Sequence, residues 1–221
     1  LQSLNVQMVA RDKAHKDPVV TSLYDMPAVK AQLKLTYTVL DGGELNVKMQ
    51  MTTDKNAKVS DMLRFGMVMQ MPYNMDQIRY FGRGPIENYS DRKASERIGI
   101  YKQTADNQFF PYIRPQENGT KQDVKWWQQT NASGTGLEIH GELGDLSMSA
   151  LHYAIADLDD GLDKGQRHSY QVKKSPFTNL CIDKEQTGVG GTNSWGEWPL
   201  ERYRLHYGDR TYEFSLRPIV K

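Results

Sequence analysis

At 221 residues the chain is long enough for one large all-β domain or two small ones, and it can bury enough apolar surface to fold without covalent staples. Its 28 Lys and Arg face 27 Asp and Glu, so no net field draws nucleic acid, an anionic membrane or a polyacidic substrate; a neutral partner such as a sugar fits better. The single cysteine, Cys181, excludes an internal disulfide framework and a thiolate metal cluster, and it leaves the compartment open.

No apolar run reaches the ~18 residues of a membrane-spanning helix, and the first residues lack the basic-then-apolar pattern of a secretion signal. The numbering begins at Leu1 rather than Met, from which a processed or excised piece is expected. One domain over residues 1–221 is the preferred organisation.

Period-two alternation dominates in chain order, as a sheet with one buried face requires. Leu33, Leu35, Tyr37 and Val39 share a face, Asp41-Gly42-Gly43 reverses the chain, and Leu45, Val47, Met49 and Met51 return, which predicts a long hairpin. Phe65, Met67, Met69 and Met71 alternate in the same way, as do Leu137 with Ile139, Leu146 with Met148, and Leu180 with Ile182. One short helix is expected near Asp157, with the Asp157 side chain as its cap and Gly161 and Gly165 limiting its length. Tyr203, Leu205 and Tyr207 lead into Gly208-Asp209, and Tyr212, Phe214 and Leu216 come back, which predicts a second hairpin closed by Pro218. Long polar stretches at 82–97, 114–136 and 183–200 separate the strands, and function is sought there. The fold expected is an antiparallel β-sandwich of two sheets rather than a small closed barrel.

The segment Gly188-Val189-Gly190-Gly191-Thr192-Asn193-Ser194-Trp195-Gly196 surrounds one large ring with glycines. Glycines let the backbone turn sharply and hold such a ring outward. An indole face stacks on the C–H face of a sugar, with Asn193 and Ser194 placed to bond hydroxyls. The competing reading packs Trp195 beneath the loop as core, and composition alone does not choose. Trp126 and Trp127 are adjacent, so on a strand they face opposite sides and one belongs to the core. Trp198 is expected to pack the loop or a neighbouring domain.

Glycoside hydrolysis needs two carboxylates across the scissile bond, and Glu87-Asn88 and Glu117-Asn118 invite that assignment. Both lie in turn-rich segments beside Pro85 and Pro115, where Glu more often accepts backbone amides or pairs with Arg83, Arg92 or Arg114. The five histidines, His15, His140, His152, His168 and His206, show no metal-ligand spacing, so no metal site is expected. Gly82-Arg83-Gly84-Pro85 lacks a following Lys-Ser/Thr and loses an amide donor at the proline, so it is no phosphate cradle.

Three segments in order carry a family likeness: FGRGPIENYSDRK at Phe81–Lys93, PYIRPQENG at Pro111–Gly119 and GVGGTNSWG at Gly188–Gly196. The chain resembles the C-terminal domain of large bacterial β-galactosidases of glycoside hydrolase family 2 over nearly its whole length. That resemblance implies an antiparallel super-sandwich similar to galactose mutarotases, at the end of a multidomain chain whose (β/α)₈ barrel catalyses retaining hydrolysis. It implies no catalytic residue, metal or cofactor in this chain. The partners it implies are a β-galactoside, the barrel and other domains of the parent, and a homo-oligomeric parent, without nucleic acid or membrane.

Trp195 maps onto the residue that the resemblance places against the sugar at the barrel's mouth. Many members have acidic residues where this chain has Thr192-Asn193, which alters the nearby charge. The other two motifs are expected to be structural: Pro85, Glu87, Asn88 and Asp91 bend a loop and satisfy amides, and Arg83 and Arg92 bridge to neighbouring loops or to the barrel. A stand-alone carbohydrate-binding module and an aldose-epimerase-like enzyme are the alternatives, and bacterial cytoplasm and periplasm both stay open.

Overall fold

The computed structural model describes residues 3–9, 16–159, 167–193 and 196–221. The predicted first hairpin forms from β3 (Ala31–Val39) and β4 (Leu45–Thr53). Its register sets Leu33 opposite Met51, Leu35 opposite Met49 and Tyr37 opposite Val47. The reversal at Asp41–Gly43 places Gly42 and Gly43 at φ of 84° and 82°, a region that a side chain makes costly. Two further strands, β1 (Ser3–Val9) and β2 (Val19–Met26), extend the sheet beside β3.

Beyond β4 the sheet continues through β13 (Arg210–Ile219), β10 (Gly136–Gly141), β9 (Trp126–Thr130), β6 (Gln77–Gly84) and β7 (Arg97–Thr104). A second sheet has the order β5 (Arg64–Pro72), β12 (Phe177–Gln186), β11 (Leu146–Leu151) and β8 (Lys121–Val124). The pairs that hold both sheets together are antiparallel. The inner faces meet in one core, with Val47, Ile139, Trp127 and Phe214 on the larger sheet facing Phe65, Met148, Leu180 and Ile182 on the smaller. The chain is therefore an all-β antiparallel sandwich, as the alternation predicts.

Trp127 is fully buried, stacks on Tyr80 at 5.1 Å between ring centroids, and donates from Nε1 to Gln129 Oε1 at 2.9 Å. Trp126 faces the other side, where the Arg79 guanidinium lies 5.1 Å from its ring. The two adjacent indoles thus divide between core and surface as strand geometry demands.

Three local expectations fail. Tyr203, Leu205 and Tyr207 form no strand against β13: Glu201–Tyr203 is a 3-10 turn, and Leu205 makes a single bridge to Met62. Both flanks of β13 are taken by β4 and β10, partners far away in sequence. Pro218 does not end the pairing either, since it stands opposite Leu137 and Ile219 opposite Gly136. The ladder to β4 has already stopped at Leu216, so on that flank no amide is required at Pro218.

The third concerns helix α2 (Ile155–Leu158), which is a single turn capped by Ala154, with Asp157 inside its first turn rather than capping it. Gly161 and Gly165 lie outside the described residues. A second single turn, α1 (Ala105–Gln108), went unpredicted; Thr104 Oγ1 caps it by accepting from Asn107 N at 3.2 Å. Among the described residues no helix is long and apolar enough to cross a membrane.

Truncating the central indole should cost about 3–5 kcal/mol, the range for large aromatic side chains lost from a core. Urea denaturation of Trp127→Ala against the parent chain measures this, and a loss below about 1 kcal/mol would contradict the packing described.

Candidate functional site

The three motif segments meet in space. Arg83 Nε donates to Asp123 Oδ2 at 2.7 Å and its Nη1 to Glu96 O at 2.8 Å, while Lys93 Nζ reaches Asp123 Oδ1 at 2.7 Å. Burial pushes the Asp123 carboxyl upward, but the hydrogen bonds from Lys93 and Arg83 outweigh it and hold the group below its usual range.

Glu87 is buried, takes Arg92 Nη2 at 2.7 Å and Gly119 N at 2.8 Å, and is also bonded by the Tyr112 hydroxyl. Glu117 takes Arg64 Nη2 at 2.9 Å and Thr120 Oγ1 at 3.2 Å. Both glutamates therefore have the structural partners expected of turn-bound carboxylates, although the arginine on Glu117 is Arg64 rather than any of the three expected. Arg83 and Arg92 bridge within the chain's own loops.

The glycine-rich segment leaves β12 along a fixed path: Thr187 N donates to Leu63 O at 2.9 Å and Gly188 N to Tyr203 O at 2.7 Å. Val189 N and Gly190 N then donate to the carboxylate of Asp91. At Gly191 a Cβ would stand 2.4 Å from Glu197 O, so the two limbs of the loop touch and only a glycine fits at that neck. Thr192, Asn193 and Gly196 beyond the neck are exposed, and Gly196 has φ of 90°. Ser194 and Trp195 lie outside the described residues. Trp198 is half exposed and carries the Arg204 guanidinium 5.0 Å from its ring; Arg204 in turn pairs with Asp61 and Glu201.

A cavity of about 820 Å³ opens over the outward face of the smaller sheet, and Gly188 and Val189 form part of its rim. Its floor is two cross-strand rows, Val68–Cys181–Ser149 and Gln70–Asn179–Leu151. Arg64 organises the polar end, donating to Cys181 Sγ at 3.0 Å and lying 3.7 Å from Asp183 Oδ2 besides its bond to Glu117. Burial pushes the Cys181 thiol up to about 11. Sequence reasoning missed this cluster; the one local signal is Gly66 opposite Asp183, where a Cβ would stand 2.2 Å from Asp183 Oδ1.

The described histidines have structural partners, and His15 lies outside the described residues. His152 is buried, stacks on Tyr73 at 3.7 Å and contacts Asp106 Oδ1 at 2.9 Å. His140 meets Glu138 at 2.6 Å and His206 meets Asp61 at 3.0 Å. Among the described residues no three His, Cys, Asp or Glu side chains gather as metal ligands.

Two stacked antiparallel sheets, with the three motif segments gathered at one margin, define the class of the chain as an all-β antiparallel sandwich. It superimposes on the galactosidase domain of alpha-galactosidase-sucrose kinase AgaSK with a TM-score of 0.50 over 99% of this chain and 27% of that one; at 11% identity the likeness is one of fold. The family model described as Beta galactosidase small chain matches residues 1–217, and the chain belongs to that family.

A β-galactosidase of Priestia megaterium is 32% identical over 191 residues, which cover 86% of this chain and 18% of the relative. One from Lactobacillus delbrueckii subsp. bulgaricus is 32% identical over 180 residues, which cover 81% of this chain and 17% of the relative. The chain thus spans less than a fifth of the length of these relatives.

Burial pushes the Asp183 carboxyl up to about 7 against the opposing pull of Arg64. The folded chain then keeps a proton that the unfolded chain loses near 3.8, so this group makes stability fall as pH rises from about 4 to about 7. Asp183→Asn removes that slope. Its urea midpoint relative to the parent chain should improve between roughly pH 4.5 and pH 7.5, and a pH-independent difference would refute the assignment.

Proposed function

We propose that this chain is one sandwich domain in the C-terminal part of a longer β-galactosidase polypeptide, and that it presents the 188–196 loop to a sugar site completed by a catalytic barrel. In this reading Trp195 stacks on the galactoside, while Asn193 and Ser194 bond its hydroxyls. The observation that carries it is the loop itself, tied at 187–190, pinched at Gly191 and exposed at Thr192, Asn193 and Gly196. Glu87 and Glu117 are already committed to structural partners, which supports placing the catalytic carboxylates elsewhere in the parent. The role asks for no cofactor from this chain, and a homo-oligomeric parent is part of the same proposal.

An aldose-epimerase activity has less support. The pair His140–Glu138 is not part of the lining of the large cavity, His206–Asp61 lines a separate, shallower hollow where Arg204 already pairs with Asp61, and His152 is buried against Tyr73.

Replacing Trp195 by Ala in the full-length polypeptide should weaken galactoside affinity by ~1–2 kcal/mol, the scale of a lost stacked ring. Steady-state kinetics on lactose measure it, and parameters equal to those of the parent would end the stacking role.

A further inference from the structure

The cleft of about 820 Å³ over the smaller sheet is long as well as roomy. Arg64 stands opposite Gln186 at one end and Gln70 opposite Asn179 at the other, six residues along β5, or about 20 Å of strand. The volume is that of a small-ligand site, and the length exceeds one sugar ring.

One wall is apolar and already built. Leu158 is buried in a small core of its own with Leu151 and Val172, against which Phe109 and Tyr153 pack with their ring centroids 4.4 Å apart. Around the same cleft Leu63, Val68, Ile155 and Val189 are exposed, a concentration of apolar surface that marks binding sites.

The polar groups beside that wall have hydrogen-bonding capacity to spare. Asn179 Oδ1 accepts from Gln70 Nε2 at 2.9 Å, and among the described residues Gln70 Oε1 has no donor. Gln186 is more than nine-tenths buried, and its Oε1 has no partner. Rotation about its last side-chain bond exchanges the two ends of the amide, so it can offer the cleft a donor or an acceptor. The charges, in contrast, are spent on one another: Arg64 Nη2 lies 2.9 Å from Glu117 Oε2, and its Nε lies 3.7 Å from Asp183 Oδ2.

An ion gains little where the charges are already answered, and a wholly apolar occupant strands the amides away from water. A sugar meets both surfaces, with hydroxyls for the amides and C–H faces for the aliphatic wall and the Tyr153 ring. We propose that this cleft is a saccharide site built by the domain without residues 191–196, and that it takes a neutral oligosaccharide lying along β5 and β12.

The test titrates the full-length polypeptide with a β-linked galactose tetrasaccharide whose sulfur linkages resist hydrolysis; the choice of galactose rests on the galactoside reading above. Val68→Trp, at an exposed position on the cleft floor, fills the cleft and should remove a binding event that the parent shows, while kcat/KM on lactose stays within about twofold. Gln70→Ala and Gln186→Met should each weaken that event about three- to ten-fold. Trp195→Ala should leave it unchanged, so this proposal and the stacking reading fail separately.

A titration of Val68→Trp equal to that of the parent overturns the proposal, as does parental affinity in both glutamine variants. If another part of the polypeptide fills the cleft, Val68→Trp lowers the melting temperature and no saccharide event is lost, which overturns it too.

Discussion

The joint between the two sheets beneath the first two motif loops depends on the buried side chain of Asn88. Its Oδ1 accepts from Gln122 N at 2.9 Å, its Nδ2 donates to Arg83 O and Ile86 O at 3.0 Å each, and its own amide donates to Thr120 O at 2.8 Å. Each side-chain function is thus satisfied away from water, which makes such a network stiff and any partial version of it costly. Because Arg83 belongs to β6 in the larger sheet and Gln122 to β8 in the smaller, this one residue ties the two sheets at the edge where the loops emerge. Glu87 adds a second tie to Gly119, with its charge answered by Arg92. The turn carrying Asp91 stands on that joint, and the glycine loop stands on Asp91.

The smaller sheet is unusual in having polar residues buried on the face turned from the core. Ser147, Ser149, Asn179 and Asp183 are all buried there, and Gln122 Nε2 donates to Ser147 Oγ at 3.0 Å. Arg64 is shared among Glu117, Cys181 and Asp183, one cation among three groups able to carry negative charge. Desolvation pushes Asp183 toward its neutral form, and it does the same to buried Lys121, whose ammonium is pushed down to about 8 while it donates to Gly119 O at 3.0 Å. The cavity above this face has Gly188 and Val189 of the glycine loop on its rim, beside the polar floor.

A division of labour follows from this construction. Two sheets and their buried ties make a rigid base, and a glycine-flanked loop needs such a base if one ring is to be presented in a defined place. The motif glutamates serve the base, each bound to an arginine and to a neighbouring loop donor.

Alternation and turn chemistry were enough to determine the sandwich class, the β3–β4 hairpin and the opposed fates of Trp126 and Trp127, because side-chain period and an Asp-Gly-Gly reversal are local properties. The partners of β13 could not be read that way: Phe214 pairs with Val47 and with Gly141, contacts that no local pattern encodes, so the predicted C-terminal hairpin gave way to long-range ladders. Asp91 read in sequence as a loop-bending residue, and only the folded chain brings it to Val189 and Gly190 nearly a hundred positions on. Arg64 and Asp183 were equally hidden, since burial of a sheet's second face depends on which loops cover it. Periodicity and turn residues determine which elements form; the tertiary structure alone decides which of them meet, because pairing and burial are set by contacts between distant segments.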